Sequence, residues 1–174
     1  MDTSAPRGTP GAPRPHRPGN RPVAFLLSSV GYATTARFRD RLRPLGLDPR
    51  QYAVLRTIGA TGGRPQHAIG DILQIPRSRM VALTDTLERR GLIERRPDPG
   101  DRRIRTLHLT PDGNDTLEQA TRIAIDFDTE VCAGLTPQQR THLAELLTQL
   151  AATLDLTPTA HASSRQTTPG WPST

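Results

Sequence analysis

A mainly α-helical fold with one small β-hairpin is predicted for this 174-residue chain by three observations. Long segments near both ends repeat apolar residues at helical spacing. Three segments open with the same capping grammar, a cap residue followed by proline. One middle stretch, Leu92 to Leu109, instead alternates about a Pro-Asp-Pro-Gly turn.

Residues 23–43 read as a helix that stops near Pro44 and Gly46, apolar early and arginine-rich late. Asp48-Pro49-Arg50-Gln51 then supplies an N-cap, a proline at the first helical position and a glutamine that closes a capping box. Thr136-Pro137-Gln138-Gln139 repeats this grammar and Thr110-Pro111-Asp112 copies part of it, which predicts helices over 48–60, 111–134 and 137–154. Gly59-Ala60-Thr61-Gly62-Gly63 follows a helix and not a strand, so it reads as a loop and not as a phosphate cradle. Gln66–Leu73 is a short helix with Ile69, Ile72 and Leu73 apolar, and Gln74-Ile75-Pro76 breaks it. Arg77–Arg90 is a second helix with Met80, Leu83, Thr84 and Leu87 inward, ended by Gly91. Two short helices across a three-residue turn make a helix-turn-helix. Leu92–Arg96, the turn Pro97–Gly100 and Arg102–Leu109 then form a hairpin with a basic tip, a wing. In its second strand Arg105, Leu107 and Leu109 point one way and Ile104, Thr106 and His108 the other.

The segment from Pro111 aligns Leu117, Ala120, Ala124, Phe127 and Val131, and the last helix aligns Leu143, Leu146, Leu147, Leu150 and Leu154. Gly134-Leu135-Thr136 is short enough to make the two antiparallel. Their stripes close one core or form a seam between two chains; periodicity does not separate the two. Residues 1–22, with six prolines, three glycines and four arginines, read as a disordered basic arm, and 156–174 as a disordered tail carrying Trp171. The folded part is therefore about 23–155, with a winged helix-turn-helix over about 47–113.

Composition narrows the function. All 23 basic residues are arginine, and the net charge is +6. That total points only weakly to a polyanion, but its distribution is uneven. Residues 77–105 hold nine arginines against five acids, while 112–155 hold eight acids against two arginines. Aromatics are 3% of the chain, which argues against a stacking platform for single strands. One cysteine, Cys132, excludes an intramolecular disulfide framework; it reads as a buried, inert thiol. The histidines at 16, 67, 108, 142 and 161 show no ligand spacing, so neither a metal nor another cofactor is expected. No apolar run approaches a membrane span and no secretory leader is visible, so the cytoplasm is the default location.

The second helix of the pair turns Arg77, Ser78, Arg79, Val81, Ala82 and Asp85 away from its apolar stripe. A recognition helix sets this end against base edges in the major groove, where the arginine fork matches guanine O6 and N7. Ser78 and the free amides of the helix start suit a phosphate. An ordinary solvated face is the bland reading of Arg-Ser-Arg alone, and the adjacent wing reverses it. Arg95, Arg96, Arg102, Arg103 and Arg105 cluster on that wing, and a narrow minor groove attracts arginine. Asp101 is placed to pair with a nearby arginine and direct it.

These residues carry a resemblance. The run Ser78-Arg79-Met80-Val81-Ala82-Leu83-Thr84-Asp85-Thr86-Leu87-Glu88-Arg89-Arg90-Gly91-Leu92-Ile93 resembles the recognition helix of the MarR family of bacterial regulators. Arg95-Arg96-Pro97-Asp98-Pro99-Gly100-Asp101-Arg102-Arg103, closed by Leu107-His108-Leu109-Thr110, resembles its wing, and Asp48–Leu55 resembles the helix before the pair. The resemblance spans about 23–155 and is specific over 47–113.

It implies a ligand-responsive repressor or activator, with a repressor the favoured reading, that binds double-stranded DNA as a homodimer at a pseudo-palindromic operator. Arg77, Ser78, Arg79, Val81 and Ala82 then fall at the major groove, and Arg95, Arg102 and Arg103 on the wing, with Asp101 as the orienting acid. Helices 23–43 and 111–155 become dimerisation helices, with Leu143, Leu146, Leu147, Leu150 and Leu154 in the seam. A small aromatic effector would meet Phe25, Tyr32, Phe38, Tyr52 and Phe127, each of which also fits plain core. Two departures stand out: Gln74 replaces a common glycine in the turn, and Ala82 replaces a polar contact. The competing readings are a winged helix used only for protein–protein contact, and an enzyme, for which no paired nucleophile and base is present.

Overall fold

The computed structural model describes residues 22–154 and 156, so the arm over 1–21, the tail beyond 156 and Trp171 lie outside the described residues. The chain divides into two units, Met1–Ala33 and Thr34–Thr174. The order of elements is α1 (Val23–Leu42), a 3₁₀ turn (Arg43–Leu45), α2 (Pro49–Thr61), β1 (Arg64–Pro65), α3 (Gln66–Leu73), α4 (Arg77–Arg89), β2 (Ile93–Pro97), β3 (Arg105–Leu109), α5 (Pro111–Val131) and α6 (Pro137–Thr153).

Local chemistry starts three of these helices. Asp48 Oδ1 accepts from the amides of Arg50 (2.7 Å) and Gln51 (2.8 Å), and the Gln51 side chain accepts from the Asp48 amide (2.9 Å). Thr136 and Gln139 make the same reciprocal pair at α6. Thr110 Oγ1 accepts from the Gly113 amide (3.0 Å) and donates to the Gly91 carbonyl, so one cap also anchors α5 to the end of α4. Helix α2 continues through Gly59 to Thr61, a stretch whose glycines suggest a loop. It stops only at Gly62, whose left-handed φ of 66° lets its amide donate to the Ile58 carbonyl (3.2 Å) and close the helix end.

The sheet is antiparallel in the order β1-β3-β2, with Ile93 opposite Leu109 and Pro97 opposite Arg105. Strand β1 pairs Arg64 with Leu107, a third strand that no local pattern foretells. Thr106 and Leu107 are both buried, so the central strand β3 does not show the clean alternation expected of a half-exposed one. The wing turn is also longer than four residues. Asp98 accepts at its side chain from the Gly100 (2.8 Å) and Asp101 (3.2 Å) amides, and the Ile104 amide bonds the Asp101 carbonyl (2.9 Å). These local bonds hold 98–104 as a loop, and pairing begins only at Arg105.

The core lies in the second unit. Leu42, Leu55, Ile58, Ile69, Met80, Leu87, Ile93 and Leu107 are all fully buried side chains. Helix α5 reaches it through Ala120, with Leu117 and Ala124 packed alongside, whereas Val131 at its far end is exposed. Gly113 makes that docking possible: a Cβ there would lie 1.9 Å from the Leu92 carbonyl oxygen. Cys132 follows the end of α5 and is half-buried, not buried as expected, with its sulfur 4.0 Å from Asp128 Oδ1. Helix α6 has no buried residue: Leu143, Leu146, Leu147 and Leu150 remain 38–42% exposed, and Leu154 66%. In the first unit Val23, Phe25, Leu26, Leu27, Val30 and Tyr32 are likewise exposed. No described helix is long and apolar enough to cross a membrane.

Candidate nucleic-acid interface

The turn between α3 and α4 is built from one unusual residue. Gln74 adopts φ 51°, and it is the one non-glycine residue with positive φ among the described residues. This left-handed step lets the Gln74 amide bond the Asp71 carbonyl (3.2 Å) and the Ile75 amide the Gly70 carbonyl (2.9 Å). The missing glycine is thus accommodated, at the strain a side chain bears in that region. Pro76 then starts α4, whose Met80, Thr84 and Leu87 face the core. Arg77, Ser78, Arg79, Val81 and Ala82 all lie on the exposed side of α4.

Where α4 meets the wing, an open groove of about 430 Å³ is lined by Pro65, Gln66, His67, Arg77, Val81, Ile104 and Arg105. Val81 and Ile104 are apolar residues of its lining, and Arg77 and Arg105 bring positive charge to it. Arg102 and Arg103 are exposed in the wing loop. Asp101 precedes them in that loop, but its carboxylate accepts from the Arg103 backbone amide (2.9 Å). Among the described residues it pairs with no arginine side chain, so what it orients is the loop itself.

The nine arginines of 77–105 divide into two groups. Four are committed within the chain. Arg89 donates to Thr86 Oγ1 (3.0 Å). Arg90 donates to the Leu45 (2.8 Å) and Gly46 (2.7 Å) carbonyls and so ties the end of α4 to the connection before α2. Arg96 bonds Glu94 through Nε (3.0 Å). Arg95 pairs with Asp85 (2.6 Å) and with Glu88. The other five, Arg77, Arg79, Arg102, Arg103 and Arg105, have exposed side chains with no bonded partner among the described residues. Guanidinium groups left unpaired on one part of a surface are suited to phosphate oxygens and base edges. Sequence alone puts Arg95 among the DNA contacts; the structure places it in an internal network. Arg105, which the sequence places in the wing cluster but not among the contacts the resemblance implies, is exposed at the start of β3.

The five aromatic residues expected to form an effector pocket are divided between the two units. Phe38, Tyr52 and Phe127 cluster in the second unit, with ring centroids 5.6 Å (Phe38–Tyr52, edge-on) and 5.3 Å (Phe38–Phe127, stacked) apart. Phe25 and Tyr32 belong to the first unit and are 56% and 82% exposed.

Comparison with known proteins agrees with this geometry. Residues 45–104 match the model of the MarR family. A Thauera aromatica protein assigned to transcriptional regulation of the hcr operon is 33% identical over 119 residues, 66% of this chain and 72% of that relative. The repressor CouR, solved on a 23-mer DNA duplex, is 32% identical with a TM-score of 0.69, covering 74% of this chain and 92% of that one. A probable transcriptional regulator from Pseudomonas aeruginosa is 30% identical with a TM-score of 0.68, over 74% of this chain and 96% of its own. A chain that carries the family's winged fold from α2 to β3, and this much identity to its relatives, belongs to the MarR family of transcriptional regulators.

Proposed function

We propose that this regulator is a homodimeric repressor that reads a pseudo-palindromic operator, with α4 in the major groove and the wing in the adjacent minor groove. The observation that carries this is the division of the arginines. The five left unpaired occupy the start of α4 and the wing, where a duplex would meet them. Arg77 and Arg79 are placed for base edges, with Ser78 at the helix start for a phosphate. Arg102, Arg103 and Arg105 are placed for the minor groove and its flanking phosphates. Residues 47–113 act as the DNA-reading lobe, and the terminal helices act in dimerisation. The exposed leucines of α6 support the second assignment, because a contiguous apolar face calls for a cover. A two-fold protein reads two half-sites about one helical turn apart. A regulator of this kind works on chromosomal DNA in the cytoplasm, and a small aromatic effector bound near Phe38, Tyr52 and Phe127 would release it.

The operator is found by selecting bound fragments from the genome of the source organism. On that fragment Arg103→Ala is expected to weaken binding by more than about 1 kcal/mol in a titration at fixed salt. The logarithm of affinity is expected to fall steeply with the logarithm of salt, with a slope of up to about −9 if these five arginines of residues 77–105 meet phosphates in both chains of a dimer. A flat salt response with unchanged Arg103→Ala affinity favours the protein–protein reading instead.

A further inference from the structure

The same α4 and β2 that carry or border these arginines also hold a cluster of opposite sign. The Arg95 side chain, only 27% exposed, leaves β2 and reaches α4 and the start of α3. Its Nη2 donates to Asp85 Oδ1 (2.6 Å), Gln66 Oε1 (3.2 Å) and Thr84 Oγ1 (3.2 Å), and its Nη1 donates to Glu88. Thr84, itself fully buried, has its hydroxyl 3.0 Å from both Gln66 Oε1 and the Met80 carbonyl, either of which can accept its one proton. One side chain therefore links the start of α3, the middle of α4 and the strand that leads into the wing. Two carboxylates against one guanidinium leave a net negative charge beside the DNA-facing side. A phosphate competing for Arg95 has to displace both.

Such an arrangement is poor for gripping a polyanion and good for fixing a geometry. We propose that Arg95 is a positioning residue: by holding α4 to β2 it fixes the reach from the α4 arginines to the wing arginines, so that one half-site is read in both grooves at once. It makes no DNA contact itself. The proposal rests on the reading of α4 and the wing as the DNA-contacting elements.

Binding to the selected operator and to unrelated duplex, each titrated across salt concentrations, separates positioning from contact. The decisive variant is Asp85→Ala with Glu88→Ala, which leaves every arginine in place and removes two negative charges. Positioning predicts that the ratio of operator to non-specific affinity falls on the order of tenfold, comparable to a mismatched base pair, while non-specific binding holds or tightens. A ratio of operator to non-specific affinity that stays the same or rises overturns the proposal. Arg95→Gln and Arg95→Lys provide the second arm. Positioning predicts that both lose discrimination and both keep the wild-type salt slope, because a lysine lacks the fork that spans two carboxylates. Rescue by lysine, or a salt slope shallower by about 0.9 for each phosphate no longer neutralised, makes Arg95 a DNA ligand and overturns the proposal. If the unaltered protein prefers no fragment, the DNA reading itself fails; retained preference in the unaltered chain with unchanged variants overturns only the role of Arg95.

Discussion

Helices α4 and α6 carry the same kind of apolar stripe and meet opposite fates. In α4, Met80, Thr84 and Leu87 are buried within the chain. In α6, four leucines at the same helical spacing each stay 38–42% exposed. Hydrophobicity does not distinguish them, since the stripe of α6 is the more apolar of the two. Anchoring does. Helix α4 is fixed at its start by the Gln74–Pro76 turn, at its end by Arg90 on the Leu45 and Gly46 carbonyls, and along its side by Arg95. Helix α6 has its own capping box and an Arg140–Asp128 ion pair back to α5. A periodic face reports that something must cover it, and the rest of the chain decides whether that cover is internal.

The contrast is most sharply broken by Leu147→Glu combined with Leu150→Glu. If the proposed dimer closes on α6, sedimentation is expected to show this variant as a monomer where the unaltered chain is a dimer, while the unfolding midpoint of the winged lobe stays near that of an isolated wild-type monomer. A dimer that survives both charges moves the seam off α6. In the lobe, the expected effects are on folding instead. Gly113→Ala forces a methyl into the Leu92 carbonyl and should cost about 3 kcal/mol in chemical denaturation, at the upper end for overpacking. A loss near zero means that the start of α5 shifts freely, and the lobe is then no better anchored than α6. The smallest difference lies in the caps. Asp48→Ala removes both side-chain bonds that Asp48 accepts inside the lobe and should lower its stability by about 1 kcal/mol at any protein concentration. Thr136→Ala makes the equivalent deletion on α6, and its effect should fade as dilution removes the dimer.

What is legible in the sequence follows the same division. Asp48, Thr110 and Thr136 announce their helices because a cap is decided within four residues of chain. Gly91 announces the end of α4 for the same reason. The partner of β3 in Arg64–Pro65 gives no signal, since a two-residue strand containing proline exists only through a segment more than forty positions away. The role of Arg95 is hidden in the same way. Its acceptors lie 7, 10, 11 and 29 residues distant, and a guanidinium on a wing strand looks alike in sequence whether it faces a phosphate or a carboxylate. The wing loop misleads because alternation continues through Arg102 to Ile104, while the Asp98 side chain is already closing the turn.

The five unpaired guanidinium groups have a chemical consequence as well as an electrostatic one. An acyl donor finds no side-chain amine anywhere in this chain, because none of its 23 basic residues is lysine. Acetylation therefore has no means of erasing the positive charge of the interface. Arginine methylation keeps the charge and blocks the fork, so it would blunt the reading of bases while leaving the grip on phosphates largely intact. Covalent chemistry on this surface thus reaches selectivity before it reaches attraction.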